Sequence, residues 1–154
     1  MRVRPLVVDT SLLVLFVVGT ADRDYIGKHK RLRAFVGEDF DMLLHIVSRA
    51  PAVFVTPNTL TETSNLASQI AEPAKGHVRR VLARLIEAAE ERYIPSRAAA
   101  ARTEYVRLGL TDASLLEATG EQSAILTADH DLYLAALASG VPAFNFNHIR
   151  DHYL

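Results

Sequence analysis

The sequence predicts an α/β fold on a mainly parallel sheet, and three observations carry that expectation. Short β-branched runs at residues 3–8, 52–56, 123–127 and 143–147 alternate with longer stretches of helical periodicity, the pattern of crossover connections. Apolar residues make up 49% of the 154 and charged residues 23%, which suits one domain over 1–154 with a real core. Carboxylates stand where apolar segments end: Asp9 after Val-Arg-Pro-Leu-Val-Val, Glu62 just past Ala-Val-Phe-Val-Thr-Pro, Asp112 opening Thr-Asp-Ala-Ser-Leu-Leu-Glu-Ala, and Asp129 after Ala-Ile-Leu-Thr-Ala.

The elements follow in order. Residues 3–8 read as the first strand. Ser11 to Val18 is apolar nearly all round, as a buried helix is. Residues 19–37 are rich in Gly, Asp, Lys and Arg and read as an exposed, partly helical excursion. Glu38 to Arg49 carries Phe40, Leu43, Leu44 and Val47 at helical spacing. Ala52 to Thr56 reads as the second strand, stopped by Pro57, and Thr59 to Ile70 as a helix. Lys75 to Arg92 is amphipathic, with the stripe Val78, Val81, Leu82, Leu85 and Ile86. Tyr93-Ile94-Pro95 reads as a short strand or extended piece. Ser96 caps a helix running to Leu108, which Gly109 closes. Thr111 to Gly120 reads as a helix, Ser123 to Thr127 as a strand, Asp131 to Ser139 as a helix ended by Gly140, and Ala143 to Asn147 as the last strand.

Several function classes drop out early. With no cysteine there is no disulfide, thiolate zinc site, iron–sulfur cluster or cysteine nucleophile. The net charge of −1 gives no bulk field for nucleic acid, so such binding needs a local basic patch. Two groups could supply one: Lys28, Lys30, Arg31 and Arg33, and Arg79, Arg80 and Arg84. Runs of this kind are more often plain solvated surface. The longest uncharged apolar stretch, Leu12 to Val18, is far short of a bilayer span. Arg2 and Arg4 before an apolar run imitate a secretory leader, but Asp9 interrupts it and no Ala-x-Ala follows, so the expected location is cytoplasmic. Gly19, Gly27 and Gly37 are isolated and make no phosphate loop. His148 and His152 stand at helical spacing without a nearby third ligand and read as surface residues. His130, beside Asp129, is the histidine placed to touch a substrate.

Each acid alone has an ordinary structural use. Asp9 and Asp112 suit helix N-termini, Asp129 a turn, and Glu62 a first helical turn. Their joint placement is different. In an open parallel sheet, sites form beyond the carboxyl ends of the strands, and all four acids can share that rim. No Lys or Arg neutralises Asp9 closely in sequence, and none lies within four residues of Glu62, Asp112 or Asp129. An uncompensated acidic cluster repels itself unless a divalent cation joins it, and hard oxygen ligands suit Mg²⁺ or Mn²⁺. Ser11 and Thr127 hydroxyls could hold the carboxylates in place.

The segments Val7-Val8-Asp9-Thr10-Ser11, Leu60-Thr61-Glu62-Thr63-Ser64-Asn65-Leu66, Leu110-Thr111-Asp112-Ala113-Ser114-Leu115-Leu116-Glu117 and Leu126-Thr127-Ala128-Asp129-His130-Asp131-Leu132 together resemble the PIN-domain nuclease family in order and spacing, over essentially the whole chain. The resemblance implies a three-layer α/β/α sandwich and Mg²⁺- or Mn²⁺-dependent cleavage of RNA. Carried over by position, Asp9, Glu62, Asp112 and Asp129 are the acidic quartet that binds metal, Ser11 supports the first Asp, and Asp131 is an extra acid. Asp9→Asn or Asp112→Asn is then expected to abolish cleavage and leave the fold intact or more stable. The segment Gly19 to Arg49 is longer and more charged than the compact toxin members need.

The resemblance to VapC-like toxins implies a small antitoxin protein as partner and often a homodimer, for which the apolar faces of 38–49 and 75–92 are candidates. A housekeeping RNA-processing nuclease and a catalytically silent binding module are the alternatives. Other acid-cluster enzymes fit poorly. A haloacid-dehalogenase phosphatase wants Asp-x-Asp where Asp9-Thr10-Ser11 stands, and a receiver domain wants paired acids before its phosphorylated Asp and a late Lys.

Overall fold

The computed structural model describes residues 4–153; Arg2 and Val3, expected just before and within the first strand, lie outside the described residues. Strands β1 (Leu6–Val8), β2 (Val53–Val55), β3 (Glu90–Glu91), β4 (Ala124–Thr127) and β5 (Ala143–Asn145) form one parallel sheet in the order β3-β2-β1-β4-β5. Successive strand residues point to opposite faces, and this alternation sorts the core into two layers. Leu6, Val8, Val55 and Leu126 meet α1 (Thr10–Ala21), α2 (Gly37–Arg49), α3 (Pro57–Ala67) and α4 (Ala74–Ala88). Val7, Phe54 and Ile125 meet α7 (Leu110–Ala118) and α8 (His130–Ala138) on the other face. The result is the expected three-layer α/β/α sandwich.

Helix α1 lies under α2, α3, α4 and the 3-10 turn at Arg23–Lys28, which explains why its sequence is apolar on every side. Its close fit to α2 requires Gly19, since a Cβ there would stand 2.3 Å from the Phe40 ring. Pro57 ends β2 and opens α3 as its first residue, where its missing N–H is harmless, and Thr56 caps the helix by accepting from the Thr59 N–H at 3.1 Å.

Four expectations are corrected. The third strand is Glu90–Glu91, not Tyr93–Pro95, and α4 therefore stops at Ala88. Parallel pairing with β2, continued by Arg92 N–H to Val55 C=O at 2.8 Å, takes the chain out of the helix. The helix expected from Ser96 to Leu108 is two, α5 (Ser96–Ala100) and α6 (Tyr105–Leu108). Between them Arg102 pairs with Glu104 at 3.2 Å and Glu117 at 2.8 Å, and Pro95 rather than Ser96 holds the cap position of α5. The last strand stops at Asn145, whose side chain accepts from the Asn147 N–H at 2.9 Å, so that buried Phe146 opens α9 (Phe146–Tyr153) instead of extending an edge strand.

Residues 19–37, fourth, are not simply an exposed excursion. A 3-10 turn over Arg23–Lys28 buries Ile26, and His29 and Leu32 are buried behind it. The His29 Nε2–H donates to the Ala67 carbonyl at 3.0 Å, while Nδ1 accepts from the Arg31 N–H at 3.1 Å, which sets the tautomer. At the far end Arg150 of α9 reaches the Ala34 carbonyl at 3.0 Å and Asp39 at 3.2 Å.

The apolar stripes proposed for a dimer face are largely used inside the chain. Phe40, Leu43, Val78, Val81 and Leu82 are buried in the chain's own core, and only Leu44 and Ile86 of those stripes are exposed large side chains. Among the described residues no helix is long and apolar enough to cross a membrane.

Candidate active site

The chain winds outward from β1 to β2 and β3 in one direction, then from β4 to β5 in the other. The order reverses between β1 and β4, and beyond the carboxyl ends of such a pair the flanking loops part to leave a crevice. Asp9 follows β1 directly and Asp129 follows the last residue of β4 by two. Glu62 comes from α3 and Asp112 from the first turn of α7, two helices in contact with each other.

Asp9 is 4% exposed, and both of its oxygens are engaged. Oδ1 accepts from the Ser11 hydroxyl at 3.2 Å and the Leu12 N–H at 3.1 Å. Oδ2 accepts from the Ala128 N–H at 3.2 Å and from the Thr127 hydroxyl. Four donors on about four lone-pair directions saturate the group. Burial raises its pKa, and those four hydrogen bonds, led by Thr127, act against the rise. Thr127 Oγ1 also accepts from the Asp129 N–H at 2.9 Å, so one hydroxyl ties the two acids across adjacent strands. An amide in Asp9→Asn would turn an NH₂ toward two of these donors, so a weaker fold, rather than an intact or more stable one, is expected of that change.

Asp129 caps α8, its Oδ1 accepting from the Leu132 N–H at 3.1 Å, and is exposed. Asp112 is half-buried at the start of α7. Burial pushes its carboxyl up to about 7, with Asp129, Asp9 and Glu62 adding repulsion in that order. Burial is thus the main cause of the rise, and acids of three other segments add to it. Glu62 is exposed, and its Oε2 accepts from the Thr111 hydroxyl at 2.8 Å, which ties α3 to α7 beside Asp112. Asp131 is exposed in the first turn of α8 and does not figure among the charges acting on Asp112.

Among the described residues, the Lys and Arg ion pairs involve Glu38, Asp39, Asp41, Glu104 and Glu117, none of the four acids. No group of three or more His, Cys, Asp or Glu side chains among them is placed so that it could hold a metal ion as it stands. The donor chemistry nonetheless suits a hard divalent cation: all-oxygen, uncompensated and mutually repelling. Repulsion keeps such acids apart without a cation.

Sequence reasoning missed Thr111, Asn58 and Ser114. The Ser114 hydroxyl reaches Asn58 Oδ1 at 3.4 Å, a second tie between α7 and α3. A buried serine inside the otherwise apolar Ala-Ser-Leu-Leu was the available signal.

The two basic groups meet at the α3–α4 junction. His29, within the first group, bonds Ala67; Arg31 donates to Gln69 at 2.7 Å; Arg79 donates to Ser68 at 2.9 Å. Tyr25 and His77 stack edge to face at 6.0 Å, and with Arg80 and Arg84 they line a groove. Lys28, Lys30 and Arg33 are exposed. His148 packs edge-on against Tyr133 at 5.4 Å.

No family model matches the chain, and no curated protein matches it. A domain of a functionally unknown protein from Methanocaldococcus jannaschii DSM 2661 is similar in structure, with a TM-score of 0.50 and 18% identity over 92% of this chain and 90% of that one. At that identity the likeness speaks for the fold alone. The class that fold and site define is a doubly wound α/β domain with an acidic rim at its switch point.

Proposed function

We propose that the chain is a PIN-like, Mg²⁺- or Mn²⁺-dependent endoribonuclease whose acidic rim carries the reaction. One observation carries the reading: burial and three other acids from separate segments raise the Asp112 carboxyl to about 7, while among the described residues no Lys or Arg ion pair involves any of the four. A purely structural role gives no reason to assemble such a cluster, whereas a cation site does.

Asp112, Asp129 and Glu62 would hold the cation, with Asp9 joining when the exposed Ser11 hydroxyl rotates off Oδ1. The bound ion supplies an acidified water and charge neutralisation at the leaving oxygen. Thr127 keeps Asp9 pointed at the rim, and Thr111 keeps Glu62 beside Asp112. Asp112 must give up its proton to bind, so affinity falls as the pH drops below about 7. The basic surface at the α3–α4 junction offers phosphate contacts that do not read sequence. An antitoxin partner and a homodimer belong to the same reading. Growth arrest on expression in a foreign host, relieved by Asp112→Asn, separates a toxin from a housekeeping nuclease.

The direct test incubates single-stranded RNA with the chain and Mn²⁺ or Mg²⁺. Cleavage that vanishes with chelator and in Asp112→Asn supports the proposal. RNA left whole by the wild-type chain across both metals, or cut equally well by Asp112→Asn, refutes it.

A further inference from the structure

A second groove opens against the acidic rim. One wall is Tyr93, Ile94 and Pro95, the link from β3 to α5. The facing wall is α3, with Asn58 and Glu62, and Thr111 of α7 closes one side. The Thr111–Glu62 hydrogen bond lies in this lining, and Thr111 is next in sequence to Asp112. Tyr93 is 76% exposed, second among the exposed large hydrophobic side chains of the described residues, and its hydroxyl donates to Glu91 Oε1 at 3.3 Å.

On the groove wall the Tyr93 ring is open to solvent and so accessible to a partner. Edge residues of a core keep some burial, and Tyr93 is not among the residues packed against either core cluster. Asn58 and Asn65 line the same groove with amides that carry donors and acceptors, the Asn58 oxygen also taking the Ser114 hydroxyl, and Pro57 offers an apolar face. A flat apolar surface beside amides matches an unpaired nucleobase: a π-face to stack and an edge to hydrogen-bond. A duplex base has neither face free. Glu62 in the same groove disfavours a phosphate there, which orients the strand with its base inward and its backbone outside the groove.

We infer that this groove is a base-binding subsite: Tyr93 stacks on one unpaired nucleobase of single-stranded RNA adjoining the acidic rim, with Asn58 and Asn65 meeting the base edge. The inference rests on the nuclease reading for its choice of ligand. Tyr93 is a positioning residue; it touches no reacting atom.

The test uses the full chain, without added metal, and a cleavage-resistant 2′-O-methyl oligoribonucleotide carrying 2-aminopurine. Wild type should bind and quench the 2-aminopurine, and Tyr93→Ala should bind about tenfold more weakly and lose the quenching. Tyr93→Phe should keep both. Tyr93→Trp should keep both and, as the one tryptophan in the chain, should change its own emission on binding. A duplex of the same sequence should show no Tyr93-dependent quenching. The exposure of Tyr93 means these variants fold, which a thermal melt checks. Equal binding and quenching by Tyr93→Ala, or no binding by wild type, overturns the subsite. Failure of the nuclease reading looks different: Tyr93-dependent binding with unmodified RNA left uncut.

Discussion

The Thr127 hydroxyl donates to Asp9 Oδ2 across 118 residues of sequence, joining the end of β4 to the residue that follows β1. The same oxygen accepts from the Asp129 N–H at 2.9 Å. A buried hydroxyl with two partners cannot be removed quietly. Thr127→Val should cost about 1–3 kcal/mol, because it leaves a carboxylate oxygen and an N–H short of a partner in a dry place. Urea unfolding measures this; a loss under a few tenths of a kcal/mol contradicts it.

Asp112 should make the metal-free protein less stable as pH rises. Its folded carboxyl titrates near 7, against the ordinary 3.8, so the folded state holds its proton more tightly than the unfolded chain does. The stabilisation is fully present below about 4 and is lost as pH climbs towards 7 and beyond. Asp112→Asn should then raise stability at pH 8, on the order of 1 kcal/mol after allowance for solvent screening, and change little at pH 4. Melting curves of both proteins at the two pH values decide it, and an equal effect at both removes the argument.

Added Mn²⁺ or Mg²⁺ should reverse that penalty. At 100 times its Kd a cation binding only the folded chain adds about 2.7 kcal/mol. The gain should shrink as pH falls below 7 and vanish in Asp112→Asn. Calorimetric scans with and without metal give the answer, and an unchanged transition in the wild type tells against a cation site.

Gly19→Ala should destabilise the fold without touching the rim. The new methyl would stand 2.3 Å from the Phe40 ring, so α1 and α2 must move apart, at a cost of about 1–3 kcal/mol. Phe40→Leu should soften the effect when combined with it. Additive losses in the double variant would place the strain elsewhere.

The order of strands and helices could be read because buried elements carry uncharged apolar runs, as in α1 and β4. That signal failed where an element is held by partners rather than by pattern. Glu90–Glu91 is a strand because β2 offers it a backbone edge; two glutamates carry no β signal. The break between α5 and α6 depends on Arg102 reaching Glu117, which local sequence does not display. His29 looked like part of a solvated basic run, but its ring lies beneath that surface on the Ala67 carbonyl. In the site, the four acids were readable because none had a basic neighbour. Thr111 and Tyr93 were not, since each gains its place only when α3, α7 and the β3–α5 link come together.

Asp9 and Asp129 each brace the first turn of the helix that follows, whereas Glu62 and Asp112 brace none. If the rim is the metal site proposed above, descendants that lost that activity would shed the second pair early, Asp112 soonest, since burial opposes its charge. The first pair would linger as scaffolding long after the purpose of the rim was gone. In a diverging lineage, Asp112 and Glu62 are therefore the positions whose survival testifies to use.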